Sequence, residues 1–163
     1  MMREIRYIGD PVLRTPAEPV TQFDKDLRRL IDEMFATMYL ADGVGLAGPQ
    51  IGVGKRLFVY DISNRKGALV NPELVIDDDA EILEEEGCLS VPSKETGKPL
   101  YSTTPRASGV TVRGFDRLGR PVEMKARGML ARCFQHEFDH LNGTLYVDRL
   151  PKNAARRIML QTP

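Results

Sequence analysis

The two histidines of this chain lie four residues apart, and a glutamate directly follows the first of them. His136, Glu137 and His140 therefore match the pattern HExxH. On an α-helix, residues four apart lie on one face about one turn from each other, so both imidazoles can bind a single divalent cation. The pattern predicts a metal-dependent hydrolase.

A third metal ligand is needed, because catalytic sites usually supply three protein ligands and leave one position open for water. The candidates are Cys88, Cys133 or a carboxylate. Cys133 lies roughly 10 Å along the helix axis from His140, which is too far for its short side chain. We therefore favour Cys88, which follows a predicted strand and can close the site from a separate element. A buried free thiol is the alternative interpretation of Cys88.

Glu137 has a role distinct from that of the ligands. Its side chain points about 100° around the helix from that of His136, beside the open position and not on the metal. There it can accept a proton from water and pass it to a leaving amine. A surface glutamate is the alternative interpretation. We expect Asp139 to lie outside the ligand set and to orient a ligand histidine through its second ring nitrogen.

The histidine pair is predicted to lie on a helix over 128–141 that ends at Gly143. Its apolar stripe predicts that the helix packs into the core. An earlier helix is predicted to begin after Asp24 and to end around 42–43, and a short closing helix is predicted over 153–160. The apolar stripe of the histidine helix consists of Met129, Leu130, Cys133, Phe134, Phe138 and Leu141.

The remaining segments predict strands and loops. Residues 9–21 contain three prolines and are predicted to form an extended, irregular arm. Residues 93–108 are rich in Ser, Thr, Pro, Gly and Lys and are predicted to form a long, mobile loop. We expect an α+β fold of short, mostly antiparallel strands packed around a central helix that carries HExxH. Strands are predicted at 56–62, 68–70, 74–76, 80–85, 109–116 and 120–125, the last two joined by a hairpin turn at 118–119.

A glycine-rich segment over 43–54 precedes the first predicted strand. It matches the phosphate-binding pattern GxGxxG only loosely, and no helix clearly follows it. We expect close approach of the backbone to another group instead.

Composition limits the classes of partner. The 163 residues include 23 basic and 23 acidic side chains, a balance that argues against nucleic-acid binding. Lys152, Arg156 and Arg157 come nearest to a basic patch and are interpreted as a solvated helix face. No segment approaches the roughly 20 apolar residues of a membrane span, and the charged N-terminus lacks a signal core. We therefore expect a single cytoplasmic domain without a membrane partner.

Three motifs, taken in order, resemble those of the peptide deformylases, which are metal amidases that remove the N-formyl group from the initiator methionine of new bacterial polypeptides. The motifs are GVGLAGPQ at 43–50, EGCLS at 86–90 and QHEFDH at 135–140. The resemblance implies hydrolysis of formyl-methionyl nascent peptides to formate and a free amine. It also implies a fold like that of the family.

The resemblance further implies a role for each site residue. Cys88, His136 and His140 bind the metal, usually Fe²⁺, which Zn²⁺, Ni²⁺ or Co²⁺ can replace. Glu137 is the general acid and base. Gln50 and the backbone N–H of Leu89 stabilise the developing oxyanion. The expected substrate-binding residues are Gly43, Val44 and Gly45, with Phe134 lining an apolar pocket for the methionine side chain.

Three departures from the family leave alternatives open. Gly48 replaces the usual alanine and is expected to loosen the segment beside Gln50. The longer connection over 93–108 is expected to cover or narrow the cleft. Without a long terminal helix, no interaction that depends on one is expected. The first two departures leave open a diverged or inhibitor-tolerant deformylase paralogue acting on another N-formyl substrate. Two alternatives of other kinds are a general HExxH endopeptidase and a non-catalytic binding module stabilised by metal.

Overall fold

A computed structural model describes residues 2–163 and contains a five-stranded antiparallel sheet with three α-helices. The strands lie in the sheet in the order in which they occur in the chain. They are β1 (Gly45–Ala47), β2 (Leu57–Ile62), β3 (Arg65–Pro92), β4 (Pro99–Phe115) and β5 (Pro121–Arg127). The helices are α1 (Lys25–Leu40), α2 (Gly128–Leu141) and α3 (Lys152–Gln161), with 3₁₀ turns at Pro11–Arg14, Gly48–Ile51 and Tyr146–Arg149.

The predicted α+β class is confirmed, but the prediction of short strands is wrong for β3 and β4. β3 is 28 residues long and replaces three separately predicted strands. Its register with β4 shifts between Val70 and Glu73, and twice more between Ile76 and Glu81. Bulges tolerate residues that regular strands disfavour, such as the proline at 72 and the acidic run at 77–79. These residues interrupt the apolar pattern without ending the strand.

The prediction of a mobile loop over 93–108 is also wrong. β4 begins at Pro99, and its first half pairs with β3. Buried positions in this half are polar, because Thr104 and Arg106 face inward, so apolar alternation is missing from the sequence. Only 93–98 forms a turn, in which the Ser93 amide donates to the Lys98 carbonyl at 2.8 Å. The connection between β3 and β4 is therefore mostly a strand pair.

Both main helices agree with their predicted positions. The Asp24 carboxylate accepts the Leu27 amide at 3.0 Å and caps α1. Eleven of the 14 residues of α2 are buried, and the helix packs on the sheet in one core cluster with Phe58 of β2 and Val110 of β4. The arm over 9–21 is more ordered than predicted, since Pro11 begins a 3₁₀ turn. This packing holds HExxH inside the protein.

Gly48 permits close packing of the backbone, and the expected loosening of the segment beside Gln50 stays a prediction. A Cβ atom at Gly48 would lie 2.7 Å from the carbonyl oxygen of Lys55 and 2.9 Å from that of Val53. The Val53 amide also donates to the Gly48 carbonyl at 3.0 Å. The backbone of 53–55 therefore occupies the space that a side chain at position 48 would need.

Candidate active site

Cys88, His136 and His140 converge in a buried cluster where β3 crosses α2. The Cys88 Sγ lies 3.4 Å from the His140 Nε2, which lies 3.2 Å from the His136 Nε2. Among residues 2–163 these three form the one group of side chains with the arrangement of metal ligands. Cys133, in contrast, lies in the core cluster between the sheet and α2. The structure therefore brings together the three residues predicted as ligands.

A break in strand pairing positions Cys88. β3 pairs with β4 at Gly87, opposite Tyr101, and again only at Pro92, with a register shift between the two positions. Residues 88–91 consequently have no β4 partner in this register. The segment before the arm contacts them instead, since the Ile8 amide donates to the Ser90 carbonyl at 2.8 Å. Cys88 is left to contact α2.

The donor atoms of this cluster suit a divalent cation. The His136 Nδ1 lies 2.6 Å from the Glu86 Oε2 and donates to this carboxylate, so the lone pair of the neutral form of the ring is on Nε2. That lone pair faces the His140 Nε2, and the Cys88 sulfur lies beside it. A shared cation would stabilise three electron-rich atoms that lie so close together. Two imidazoles and a thiolate suit borderline ions such as zinc or iron.

Glu86 is a site residue that our sequence analysis missed. Besides His136, its carboxylate accepts the Arg106 Nη2 at 2.6 Å and Nε at 3.1 Å, and the Arg132 Nη1 at 3.0 Å. Burial alone would raise the pKa of Glu86, but the hydrogen bonds from His136 and Arg106 outweigh it and hold the pKa well below its usual range. Period-two alternation could have identified this residue, because Glu86 and Cys88 share one face of a strand.

The orienting role expected for Asp139 is wrong. Its carboxylate accepts the Arg106 Nη1 at 2.6 Å and the Arg149 Nη2 at 2.8 Å, and the His136 Nδ1 is bound by Glu86. Asp139 lies one turn beyond His136 on the same helix, whereas Glu86 reaches the ring from β3. Asp139 therefore positions Arg106, which in turn donates hydrogen bonds to Glu86.

Arg132 is a second buried residue that secures this network. Its guanidinium donates to Glu86 and also to the backbone carbonyls of Thr104 and Ile82, both at 2.8 Å. The side chain thus joins α2 to both β3 and β4. A charged residue four positions before His136, beside the apolar stripe, is the signal that could have identified it.

Tyr146 supports His136 from another side. Their rings are stacked with centroids 6.3 Å apart and an interplanar angle of 23°. The Tyr146 hydroxyl donates to the Leu100 carbonyl at 2.7 Å, which connects the ring to the start of β4. Together, Glu86 and Tyr146 fix the orientation of the His136 imidazole.

Glu137 lies in the wall of a cavity of about 530 Å³ beside this cluster. Burial raises the pKa of its carboxyl group to about 7. Its Oε1 atom has no hydrogen-bond partner within residues 2–163. A buried carboxylate with a free oxygen at a cavity can accept a proton from a bound molecule.

Gln50 presents a donor toward the same place. Its Oε1 accepts the Ala47 amide at 2.9 Å, and its Nε2 donates to the Ser90 hydroxyl at 3.1 Å and lies 3.6 Å from the Cys88 sulfur. These contacts fix the amide so that its NH₂ group faces the cluster. Leu89 also lines the cavity, in the stretch of β3 without a β4 partner.

The cavity includes most of the predicted substrate-binding residues. Gly43, Val44 and Gly45 line it, but Phe134 does not, which corrects the predicted pocket. Phe134 is fully buried and packs against Tyr60, with ring centroids 4.9 Å apart, because it faces the sheet. Apolar lining instead comes from Ile62, Met129 and Cys133, and Lys98, Pro99 and Tyr101 also line the cavity.

Comparison with known sequences gives one consistent result. The family model for polypeptide deformylase matches residues 2–156. The chain is 52% identical over 149 residues to a peptide deformylase of Halothermothrix orenii, covering 90% of this chain and 92% of the relative. It is 45% identical over 161 residues to the Thermotoga maritima enzyme, covering 98% and 93%.

Solved structures agree with the sequence comparison. A peptide deformylase from Legionella pneumophila superposes with a TM-score of 0.90 at 46% identity, over 99% of this chain and 93% of that one. The enzyme from Synechococcus elongatus in complex with actinonin gives a TM-score of 0.90 at 40% identity, over 98% and 85%. Within residues 2–163, no helix has the length and apolar character required to cross a membrane.

Proposed function

This chain belongs to the polypeptide deformylase family, and on that premise we propose that it hydrolyses the N-formyl group of formyl-methionyl nascent peptides at the centre formed by Cys88, His136 and His140. The products are formate and a peptide with a free amino terminus. The observation that carries the proposal is the convergence of one sulfur and two imidazole nitrogens beside the free carboxylate oxygen of Glu137.

We propose Fe²⁺ as the native metal, with Zn²⁺, Ni²⁺ or Co²⁺ able to replace it, because a thiolate and two imidazoles suit all four ions. When bound, such a cation supplies Lewis acidity, which polarises a carbonyl group and lowers the pKa of water. Three protein ligands leave a coordination position open for chemistry.

Glu137 performs the proton transfers in this proposal. Its carboxylate accepts a proton from the attacking water as the new bond to the formyl carbon forms. It then donates that proton to the nitrogen of methionine as the C–N bond breaks. Burial supports both steps, because a carboxyl group with a pKa of about 7 can accept and return a proton near neutral pH.

Gln50 and Leu89 stabilise the negative charge on the formyl oxygen. The Gln50 side chain is already oriented by Ala47 and Ser90, and the NH₂ hydrogen directed at the Cys88 sulfur at 3.6 Å is the one that donates to the formyl oxygen. The Leu89 amide supplies the second donor. Substrate backbone lies near Gly43 and Gly45, and the methionine side chain packs against Ile62, Met129 and Cys133.

The proposed substrate also indicates where the reaction takes place. A nascent polypeptide carries its formyl group as it is made in the cytoplasm, so we propose that compartment for the enzyme. Neither nucleic acid nor membrane is needed as a partner in this reaction.

The test is metal analysis of anaerobically purified protein, coupled to formate release from formyl-Met-Ala by the same sample. Stoichiometric metal with formate release supports the proposal, and a metal-loaded protein that releases no formate overturns it. Cys88→Ala separates the alternatives, because loss of metal and activity is expected here, whereas a general HExxH endopeptidase would tolerate the change and cleave unformylated peptides internally.

A second assay addresses the paralogue alternative. Actinonin occupies the related enzyme from Synechococcus elongatus. We expect it to inhibit this protein as strongly as it inhibits an ordinary relative assayed in parallel, with formyl-methionyl peptides as the preferred substrates. Weak inhibition combined with a preference for another N-formyl compound would instead indicate a diverged paralogue.

A further inference from the structure

Tyr101 is an exposed aromatic residue on the rim of the active-site cavity. Its side chain is 61% exposed, and its backbone is paired with that of Gly87. A Cβ atom at Gly87 would lie only 2.7 Å from the tyrosine ring, so the ring can lie against the strand only because residue 87 is glycine. The ring therefore has a defined place beside the cavity.

The rim that carries Tyr101 is held in place by the turn over 93–98. The Ser93 hydroxyl accepts the Glu95 amide at 3.1 Å, and the Lys94 amide donates to the Gln161 carbonyl at the end of α3 at 2.8 Å. An aromatic side chain on such a support loses little conformational freedom when it contacts a ligand.

The cavity determines the direction in which a bound peptide leaves the metal centre. It borders β3 from Glu85 to Leu89, whereas Ser90 and Val91 are buried and the Ser90 carbonyl accepts the Ile8 amide. A peptide with its formyl group near Leu89 must therefore extend toward Glu85. At about 3.3 Å per residue, Gly87 lies roughly 7 Å from Leu89, which is two residues of an extended peptide.

Successive side chains of an extended peptide point to opposite faces, so the first two side chains of the bound peptide lie on different faces of β3. Glu86 and Cys88 face α2, so the opposite face of β3 carries Gly87 and Tyr101 packed on it. A methionine side chain that enters the cavity on the α2 side leaves the next side chain on the opposite face, where Tyr101 lies.

We propose that Tyr101 contacts the side chain of the residue immediately after formyl-methionine and is a specificity-determining residue that favours a large apolar group there. This inference rests on the proposed function, since it takes the formyl group to lie at Gln50 and Leu89. Contact with one aromatic ring is expected to change relative kcat/KM by about two- to tenfold.

The experiment measures kcat/KM for formyl-Met-X-Ser peptides in which X is Gly, Ala, Leu or Phe. The unaltered protein should prefer Leu and Phe to Gly, Tyr101→Phe should keep that preference, and Tyr101→Ala should bring the ratio close to one. Tyr7→Ala is the matched control, because Tyr7 is also half exposed but does not line the cavity. It should leave the ratio unchanged.

Other results would contradict the inference, and they show whether the proposed function fails with it. Active proteins with no preference at X, or a preference that persists in Tyr101→Ala, overturn the inference and leave the proposed function intact. Formate released from none of the peptides overturns the proposed function, and the inference with it. Thermal unfolding of each variant verifies that the compared proteins are equally folded.

Discussion

The Glu86 Oε2 lies 2.6 Å from the His136 Nδ1, and this hydrogen bond determines which ring nitrogen of His136 can bind a cation. Arg106 and Arg132 occupy the other acceptor positions of the same carboxylate. Burial would raise the pKa of Glu86, but the hydrogen bonds from His136 and Arg106 hold that pKa well below its usual range, and the ionised carboxylate keeps a proton of His136 on Nδ1. The Nε2 lone pair is directed at the ligand cluster by a network that extends across β3, β4 and α2.

The first prediction concerns that hydrogen bond. Glu86→Gln removes the charge that orients His136, and metal affinity should fall by about 10- to 100-fold. Titration of metal-free protein with Zn²⁺ against a competing chelator measures the change. Glu84→Gln is the control, because Glu84 is exposed on the same strand and should leave affinity unchanged. Equal affinities for both variants would show that Glu86 does not position the ligand.

The second prediction concerns the stability that Arg132 contributes. Arg132→Met removes hydrogen bonds to Glu86, Ile82 and Thr104 and leaves a buried carboxylate short of one donor. We expect the free energy of unfolding to fall by about 2–4 kcal/mol in urea denaturation. Arg127→Met breaks an exposed pair with Asp78 and should lower the free energy of unfolding much less, because solvent screens an exposed ion pair. Similar losses for both variants would contradict the role given to Arg132.

The third prediction separates the ring of Tyr146 from its hydroxyl group. Tyr146→Phe keeps the stacking on His136 but leaves the Leu100 carbonyl without its donor, so stability should fall by about 1 kcal/mol with unchanged metal affinity. Tyr146→Leu removes the stacking as well and should weaken metal binding. Chelator competition and thermal unfolding together measure both effects. Unchanged metal binding in Tyr146→Leu would sink this account.

The fourth prediction concerns removal of metal. Ligands from β3 and α2 meet only in the folded chain, so metal binding is expected to stabilise folding, by about 2.7 kcal/mol at 100 times the dissociation constant. Chelation should therefore lower Tm. Cys88→Ala should abolish this difference, whereas Cys133→Ala, which removes a core thiol, should retain it. A metal-dependent Tm shift that survives in Cys88→Ala would rule out Cys88 as a ligand.

The helices and the ligand cluster could be predicted from the sequence because their signals are local. Asp24 caps α1 as predicted, and apolar periodicity located α2 to the residue. The distance along the helix axis between Cys133 and His140 was sufficient to prefer Cys88 to Cys133 as the third metal ligand. Each of these signals depends only on the geometry of a single helix.

The long strands and the supporting residues could not be predicted in the same way. The inward positions in the first half of β4 are polar because Arg106 bonds to Glu86 and Asp139, so this half lacks apolar alternation. Tyr146 connects His136 to Leu100, which lies 46 residues before the tyrosine, and only the tertiary structure brings these residues together. The prediction that Phe134 lines the methionine pocket was wrong, because periodicity identifies the apolar stripe of a helix but does not show which part of the stripe faces a cavity.

The central claim is that Glu137 transfers protons at a metal centre that deformylates peptides. The most direct measurement compares formate release from formyl-Met-Ala by the unaltered protein and by Glu137→Gln, with metal content determined on the same samples. The account predicts stoichiometric metal in both proteins and a loss of kcat of about 10²- to 10⁴-fold in the variant. Equal formate release by two equally metal-loaded proteins, or none from the unaltered one, would contradict it.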